Sequence, residues 1–395
     1  MTICPLCSAS NGIVFDRRER TPVLLNRTYR SAAEARAATT GALAFTGCGN
    51  CGFVWNAAFD DAAIVYDGAY ENDQAHSAVF RAHMDAMAGR ALAMVDKNAA
   101  VNVVEVGAGQ GVFLKTIADA AVGRLASATG FDPAWRGKPG GGPAPVHLYT
   151  DLFDANAALH LAHAPNLLVS RHTIEHVANP LAFLTTIRAG LPMHASVRVA
   201  VETPCVKWIL DNWAIQDFFY EHCSLFTAHT LRRALEATGF EATSVDHVFG
   251  GQYLWAEAIT TAQAHTVDWH DPARPDFAAW SRHKDEMLTH WRAKLAKANA
   301  EGPAYLWGAG AKGVTFACLF DPEAKLLTGL VDINPNKQGT FAAMTGCPIV
   351  APNAILGPRP SIVVMNPIYQ DEIRRTCSAQ GLEPNISIFA PEERS

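Results

Sequence analysis

Charge is scarce in this chain and shows no basic excess. Only 18% of the 395 residues are charged, and 32 Lys and Arg face 38 Asp and Glu, a formal net charge of −6. A surface built to grip phosphate backbones needs the opposite balance, so nucleic acid is not an expected partner. No uninterrupted apolar run approaches the ~20 residues of a membrane span, and the opening MTICPLCSAS lacks the basic-then-apolar order of a secretion signal. These absences predict a cytoplasmic protein, monomer or homodimer, that touches no membrane. In a reducing compartment the nine cysteines are read as metal ligands or core residues and not as disulfides. The hydrophobic content of 49% can fill large cores, and the length suggests about two or three domains.

What is present is glycine at telling positions. Val101 to Val106 is a short run rich in valine that reads as a buried parallel strand. It contains Glu105 and runs into Gly107, Gly109 and Gly111, after which Val112–Ile117 reads as a helix. Glycine permits the sharp turn and a close ligand approach. A dinucleotide fingerprint would be Gly-x-Gly-x-x-Gly without an acid aimed at the pyrophosphate. Here the acid comes first, which suits a cationic ligand. The Glu-x-Gly-x-Gly-x-Gly pattern resembles motif I of class I S-adenosylmethionine methyltransferases, where the acid lies near the methionine ammonium group.

The following segments fit the same α/β unit. Gly130-Phe131-Asp132 ends a second strand about twenty residues on, where an acid can bind both ribose hydroxyls. Trp135 is a candidate wall for an adenine. Asp151 stands where such enzymes often accept from the adenine amino group. Asn166–Ser170 reads as the fourth strand, leading into His172 and His176. His-x-x-Glu-His is also a zinc-protease pattern, but that chemistry needs a helix. Here the histidines leave a strand and Pro180 follows, so the helix is expected to begin near Asn179-Pro180. Strand ends of open α/β sheets face ligands, which puts His172 and His176 near the methyl donor. Ser196–Pro204 is the next strand. Beyond it Tyr220, Glu221 and His222 sit in an aromatic run whose apolar walls can shift their pKa values.

The two ends of the chain add further units. Cys4-x-x-Cys7 and Cys48-x-x-Cys51 are two knuckles that together complete a tetrahedral Cys4 site, read as structural zinc. Cys205, Cys223, Cys318, Cys347 and Cys377 are read as core. Tyr66–Gln74 reads as a polar, aromatic loop, Ser77–Lys97 as a helix and Asp276–Asn299 as a long amphipathic helix. Gly308, Gly310 and Gly313 form a full Gly-x-Gly-x-x-Gly after a strand, with Asp332 close to twenty residues later. Lys312 inside that loop would favour a phosphate. Too little chain follows for a six-stranded dinucleotide domain, so a smaller Rossmann-like unit is expected there.

An N-terminal Cys4 module, a central methyltransferase unit and a C-terminal Gly-Ala-Gly-Ala-Lys-Gly unit together resemble the bacterial nucleotide-sugar C-methyltransferases. The likeness covers nearly the whole chain and includes Tyr220-Glu221-His222 and Val331-Asp332-Ile333-Asn334-Pro335. It implies an α/β protein with a zinc module over 1–65, an S-adenosylmethionine-binding domain over 66–300 and a substrate-binding domain over 301–395. It implies methylation of a carbon beside the keto group of a deoxysugar on thymidine diphosphate. His222 is then the base, Glu221 its partner or the substrate's, His176 a second active-site histidine, and Tyr66 or Tyr70 a wall of the sugar pocket. The chain departs from that pattern in showing Phe219-Tyr220-Glu221-His222 where those enzymes usually show Tyr-His-Glu-His, the mark of a divergent branch.

Overall fold

The computed structural model describes residues 2–193 and 196–389, so the last six residues of the expected C-terminal unit lie outside it. Three sheets are formed. The first begins with β1 (Gly12–Pro22), the short helix α1 (Ala32–Arg36), β2 (Thr40–Cys48) and β3 (Val54–Asn56), all strands antiparallel. The two cysteine knuckles flank these strands, Cys48 closing β2.

The central sheet is wound around the helices that its sequence caps. Ser77 accepts the Phe80 N–H and starts α2 (Ala78–Ala93), as a serine at an N-cap should. Then come β4 (Val101–Val106), α3 (Val112–Ala120), β5 (Leu125–Phe131), β6 (His147–Tyr149) and β7 (Leu167–Arg171). α4 (Pro180–Ala189) starts with proline behind Asn179, whose side chain accepts the Ala182 N–H. The rest is β8 (Arg198–Pro204), α5 (Val206–Asp211), β9 (Ser224–Leu225), α6 (Ala228–Glu236), β10 (Phe240–Val248) and β11 (Tyr253–Thr260). The order is β10-β11-β8-β7-β4-β5-β6, with β11 antiparallel to both neighbours. From β4 the chain builds outward through β5 and β6, then returns to place β7 on the other side of β4. That reversal opens a crevice at the carboxyl ends of β4 and β7.

β9 does not join this sheet. It pairs with β3 and becomes the fourth strand of the cysteine-bearing sheet. The residues just before it, Tyr220 to His222, are therefore carried between the two sheets.

Asp276 accepts from Ala278 and Ala279 and starts α7 (Phe277–Glu301), which buries Phe277, Trp280, Trp291 and Leu295. Phe15 of β1 stacks on Phe277 with ring centroids 5.2 Å apart. Lys284 of α7 and Arg18 both pair with the buried Asp16 of β1, at 3.0 and 2.6 Å. The third sheet follows: β12 (Ala304–Trp307), α8 (Ala311–Phe320), β13 (Gly329–Val331), β14 (Ile349–Val350), β15 (Ser361–Val364), α9 (Gln370–Ser378) and β16 (Asn385–Ile388). Its five strands run parallel in the order β14-β13-β12-β15-β16. This is the small Rossmann-like unit expected, with its own reversal between β12 and β15. The amphipathic stripe and the strands beside the two glycine turns were readable in the sequence; the antiparallel strands around the cysteines, β10, β11, β14 and β16 were not assigned there.

Cys205, Cys223, Cys347 and Cys377 are buried and Cys318 is half-buried. All are unpaired, as their scattered positions suggested.

Candidate active site

The glycine loop after β4 has the strained geometry that only glycine tolerates cheaply. Gly107, Gly109 and Gly111 have φ of +77, +54 and +80°, in the left-handed region. A side chain on Gly107 would strike Thr173 Oγ1 at 1.9 Å, whereas one on Gly109 would meet nothing within 4 Å. The loop is thus packed at its start and open over its middle. The Gly109 N–H donates to Asp132 Oδ2 at 2.7 Å, and Asp132 Oδ1 accepts from Ala134 at 2.7 Å. Glu105 is buried behind the loop, and its Oε2 has no hydrogen-bond partner. Burial raises its pKa to about 8, although the Arg171 guanidinium opposes the shift. An orphaned buried carboxyl beneath an open glycine turn fits a ligand that brings a cation and draws off its proton.

The far side of the β7 end opens on a different space. A cavity of about 300 Å³ lies between the central and C-terminal sheets. His172, His176, Glu221 and His222 line it from one side, and Gly308, Gly310, Lys312 and Gly313 from the other. Glu105, the three motif glycines, Asp132 and Asp151 are not among its walls. The two regions meet at β7: Thr173 abuts Gly107 while its neighbour His172 faces the cavity.

The histidines sit where strand β7 and the chain before β9 converge. Ile174–His176 is a single 3₁₀ turn and not a protease helix. His172 adopts φ +49°, and its Nδ1 lies 3.3 Å from Glu175 Oε1. His176 and His222 meet edge to face with ring centroids 4.9 Å apart. Phe219 packs on His222 at 4.0 Å. Burial in this apolar setting holds the His222 imidazole well below the ordinary histidine pKa, and the charges of His176, His172 and Lys312 add to the effect. His222 is thus neutral at pH 7, with a lone pair available.

Glu221 is committed elsewhere. Its Oε1 accepts the Tyr70 hydroxyl at 2.6 Å and its Oε2 accepts the Leu25 N–H at 2.8 Å. Burial still raises its pKa, against the lowering pull of His176 and the Tyr70 bond. No hydrogen bond joins it to His222 among the described contacts. Arg136, from the loop after Asp132, donates to the Tyr70 carbonyl and ties that loop to this wall.

Several other expected site residues lie away from the cavity. Tyr220 is buried against Gly41, and its hydroxyl exchanges hydrogen bonds with the Asp60 backbone at 2.9 and 3.1 Å. The aromatic run turns it into the N-terminal sheet while its neighbours face the cavity. Tyr66 packs on Tyr70 at 4.7 Å and is 38% exposed, outside the lining. Asp151 is exposed in the turn after β6, with His160 at 4.0 Å. Trp135 is half-buried and donates to the Lys138 carbonyl at 3.2 Å. Lys312 does line the cavity, but its charge is taken up by Asp217 at 3.0 Å, and Gln252 accepts a further hydrogen bond at 3.0 Å.

The sequence reading missed Lys337. It is 4% exposed, lines the cavity, and donates to the Ala309 carbonyl and Asn26 Oδ1, each at 3.0 Å. No carboxylate among the described residues forms an ion pair with it. Burial lowers its pKa, against the pull of Asp332, Glu71 and Glu221. It stands five residues past Asp332, directly under the second glycine loop, and only that contact marks it. Asp332 in turn accepts from Ala309 and Asn334, each at 2.8 Å. Asp132 holds the first glycine loop in the same way.

At the N-terminus Cys4, Cys7, Cys48 and Cys51 bring their sulfurs within 4.8 Å of one another. Cys4 and Cys51 are 3.8 Å apart, Cys7 and Cys48 3.5 Å. Hydrogen bonding among the four sulfurs pulls Cys7 far down and Cys48 to about 6, while pushing Cys4 and Cys51 up. Four convergent, unbridged thiols could bind a metal ion.

Comparison with known proteins agrees with this layout. Residues 77–245 match the family model described as a methyltransferase domain, and residues 264–381 match that of a C-methyltransferase C-terminal domain. The protein is an S-adenosylmethionine-dependent methyltransferase. More narrowly, it carries the C-terminal domain of a C-methyltransferase. No curated protein matches the chain. Among solved structures, the CurJ carbon methyltransferase is 14% identical with a TM-score of 0.35, covering 47% of this chain and 56% of that one. The magnesium protoporphyrin IX methyltransferase of Synechocystis PCC 6803, with bound SAH, is 12% identical with a TM-score of 0.33, covering 50% and 90%. An S-adenosylmethionine-dependent methyltransferase of Mesorhizobium loti is 15% identical with a TM-score of 0.32, covering 45% and 99%. These scores are too low to carry an activity across.

Proposed function

We propose that this enzyme methylates a carbon beside the keto group of a nucleotide-linked deoxysugar, by histidine-assisted enolisation. One observation carries the reading: the histidines at the β7 end and the Gly308–Gly313 loop of a second Rossmann-like unit face the same cavity. A methyltransferase for a small bare acceptor has no need of that second cradle.

Glu105 and the Gly107–Gly111 turn would hold the methionine part of the donor and Asp132 its ribose. Bound there, S-adenosylmethionine supplies an electrophilic methyl group. The α-hydrogen of a ketone is weakly acidic, so a base must take it while a donor steadies the enolate oxygen. His222 is neutral and walled by Phe219, which suits it to accept that proton. A positioned base of this kind contributes about 10²–10⁴-fold in rate. His176, edge-on to His222, is placed to donate to the enolate oxygen. Tyr70 acts on the site through Glu221, fixing the wall that the sugar would meet.

Substrate phosphates would lie on the Gly308–Gly313 turn at the start of α8, where backbone N–H groups and the helix dipole favour anions. Lys337 supplies the positive charge, since Lys312 is spent on Asp217. The four cysteines would hold a structural zinc ion, with no open position for chemistry. The boundaries near 65 and 300 then separate zinc, donor and substrate units, with β9 bridging the first two.

Incubation with labelled S-adenosylmethionine and a dTDP-4-keto-deoxysugar tests the reading. The expected product has a new carbon–methyl bond by NMR. Label found only on oxygen or nitrogen would overturn it.

A further inference from the structure

Two histidines on the cavity wall and the buried glutamate next to one of them have polar atoms that their neighbours leave unsatisfied. Glu175 is fully buried; its Oε2 accepts from Thr203 at 3.0 Å, but its Oε1 receives no hydrogen bond. His176 Nδ1 and His222 Nδ1 are also buried and unpartnered. One ligand atom from each of the three residues lies within 4.8 Å of the others. Orphaned buried polar atoms are costly one at a time. Here they occur on three residues whose ligand atoms converge, and a divalent cation is a partner that the three can share.

We propose that Glu175, His176 and His222 form a second metal site, separate from the four cysteines. Two imidazole nitrogens and one carboxylate oxygen select a borderline transition ion such as Zn²⁺ or Co²⁺ over Mg²⁺ or Ca²⁺, which prefer oxygen cages. Metal–ligand bonds of about 2.0–2.2 Å require the three atoms to draw closer together. His176 and His222 are half-buried and both line the cavity, so they are the ligands that would move. Three protein ligands leave a coordination position toward the cavity for a water or another oxygen ligand. His172 Nδ1 lies 3.3 Å from Glu175 Oε1 without a hydrogen bond between them, close enough to help hold the carboxylate in place, as outer partners of metal ligands do.

The consequence for turnover rests on the reading of His222 as base. A metal ion and a proton compete for the imidazole lone pairs, so a loaded site withdraws His222 from proton transfer and inhibits. Binding itself does not depend on that reading. The full-length protein, with its cysteine cluster intact, is dialysed against micromolar Zn²⁺ and its metal counted per chain. Wild type is expected to hold one equivalent more than Glu175→Gln, which keeps the shape of the side chain, and one more than His222→Ala. With Co²⁺, that extra equivalent should show visible ligand-field bands without thiolate charge transfer. Equal metal counts in wild type and both variants would overturn the site, as would thiolate character for every equivalent bound. Circular dichroism confirms that the variants are folded. A failed sugar assay leaves these counts unchanged, so the two ideas fail separately.

Discussion

Glu105 offers the sharpest test of where the donor sits. Its carboxyl is buried, unpartnered at Oε2 and titrates at about 8. In the free protein at pH 7 it is therefore about nine-tenths protonated. A donor whose ammonium group pairs with Glu105 needs the ionised form, so binding must expel that proton. Calorimetry in two buffers of different ionisation enthalpy should register net release of about 0.8 proton per donor bound at pH 7, the share shed by Glu105 less the little its amino partner takes up. Apparent affinity should rise about eightfold from pH 6 to pH 7, and stop rising as an α-amino group near pKa 7.7–8.0 loses its own proton. Glu105→Gln should bind more weakly and release no proton. The same variant should be more stable than wild type, and more so at pH 8 than at pH 5. A carboxyl whose folded pKa lies above its unfolded value holds its proton better when folded, so its contribution to stability falls as pH climbs between the two. Proton release that persists in Glu105→Gln, or affinity flat from pH 6 to 7, would refute the placement.

Other outcomes are expected from the same geometry. His222→Ala should lower turnover by about 10²–10⁴-fold with donor affinity unchanged, as read by single-turnover assay and calorimetry; near-normal turnover would remove it from the chemistry. Lys337→Met should weaken competition by inorganic pyrophosphate and raise the acceptor KM at least tenfold, whereas Lys312→Met should act mainly by leaving Asp217 buried without its partner, lowering Tm. Tyr70→Phe deletes the 2.6 Å hydrogen bond to a buried carboxyl and should cost about 1–3 kcal/mol in urea unfolding; a smaller loss would mean Glu221 finds another donor. Cys48→Ser should drop metal content by one equivalent and unfold the N-terminal sheet at lower temperature, because metal in a closed thiolate site contributes directly to folding.

Local chemistry explains which parts were legible beforehand. Glycines that need positive φ, capping residues such as Ser77, Asn179 and Asp276, and paired cysteine knuckles act over a few residues. Their consequences therefore travel with the sequence. So the first glycine loop, the long helix, the second glycine turn and the cysteine cluster were all found where the pattern put them. Direction was harder to read. Tyr220, Glu221 and His222 are adjacent, yet one packs into the cysteine-bearing sheet, one is locked by Tyr70 and Leu25, and one faces the cavity.

The amino-acid sequence by itself determined the kind of protein: two strand–glycine–helix units, a first glycine loop with an acid behind it, and four thiols in two knuckles. Tertiary structure decided which charges remain available. Asp217 and Lys312 lie far apart in the chain and neutralise each other only in the folded structure, while Lys337 is buried without such a partner among the described residues. Electrostatic attraction and desolvation depend on distance through space, not along the chain. Spacing could therefore place the glycines, but it could not say which lysine would be left with charge to offer.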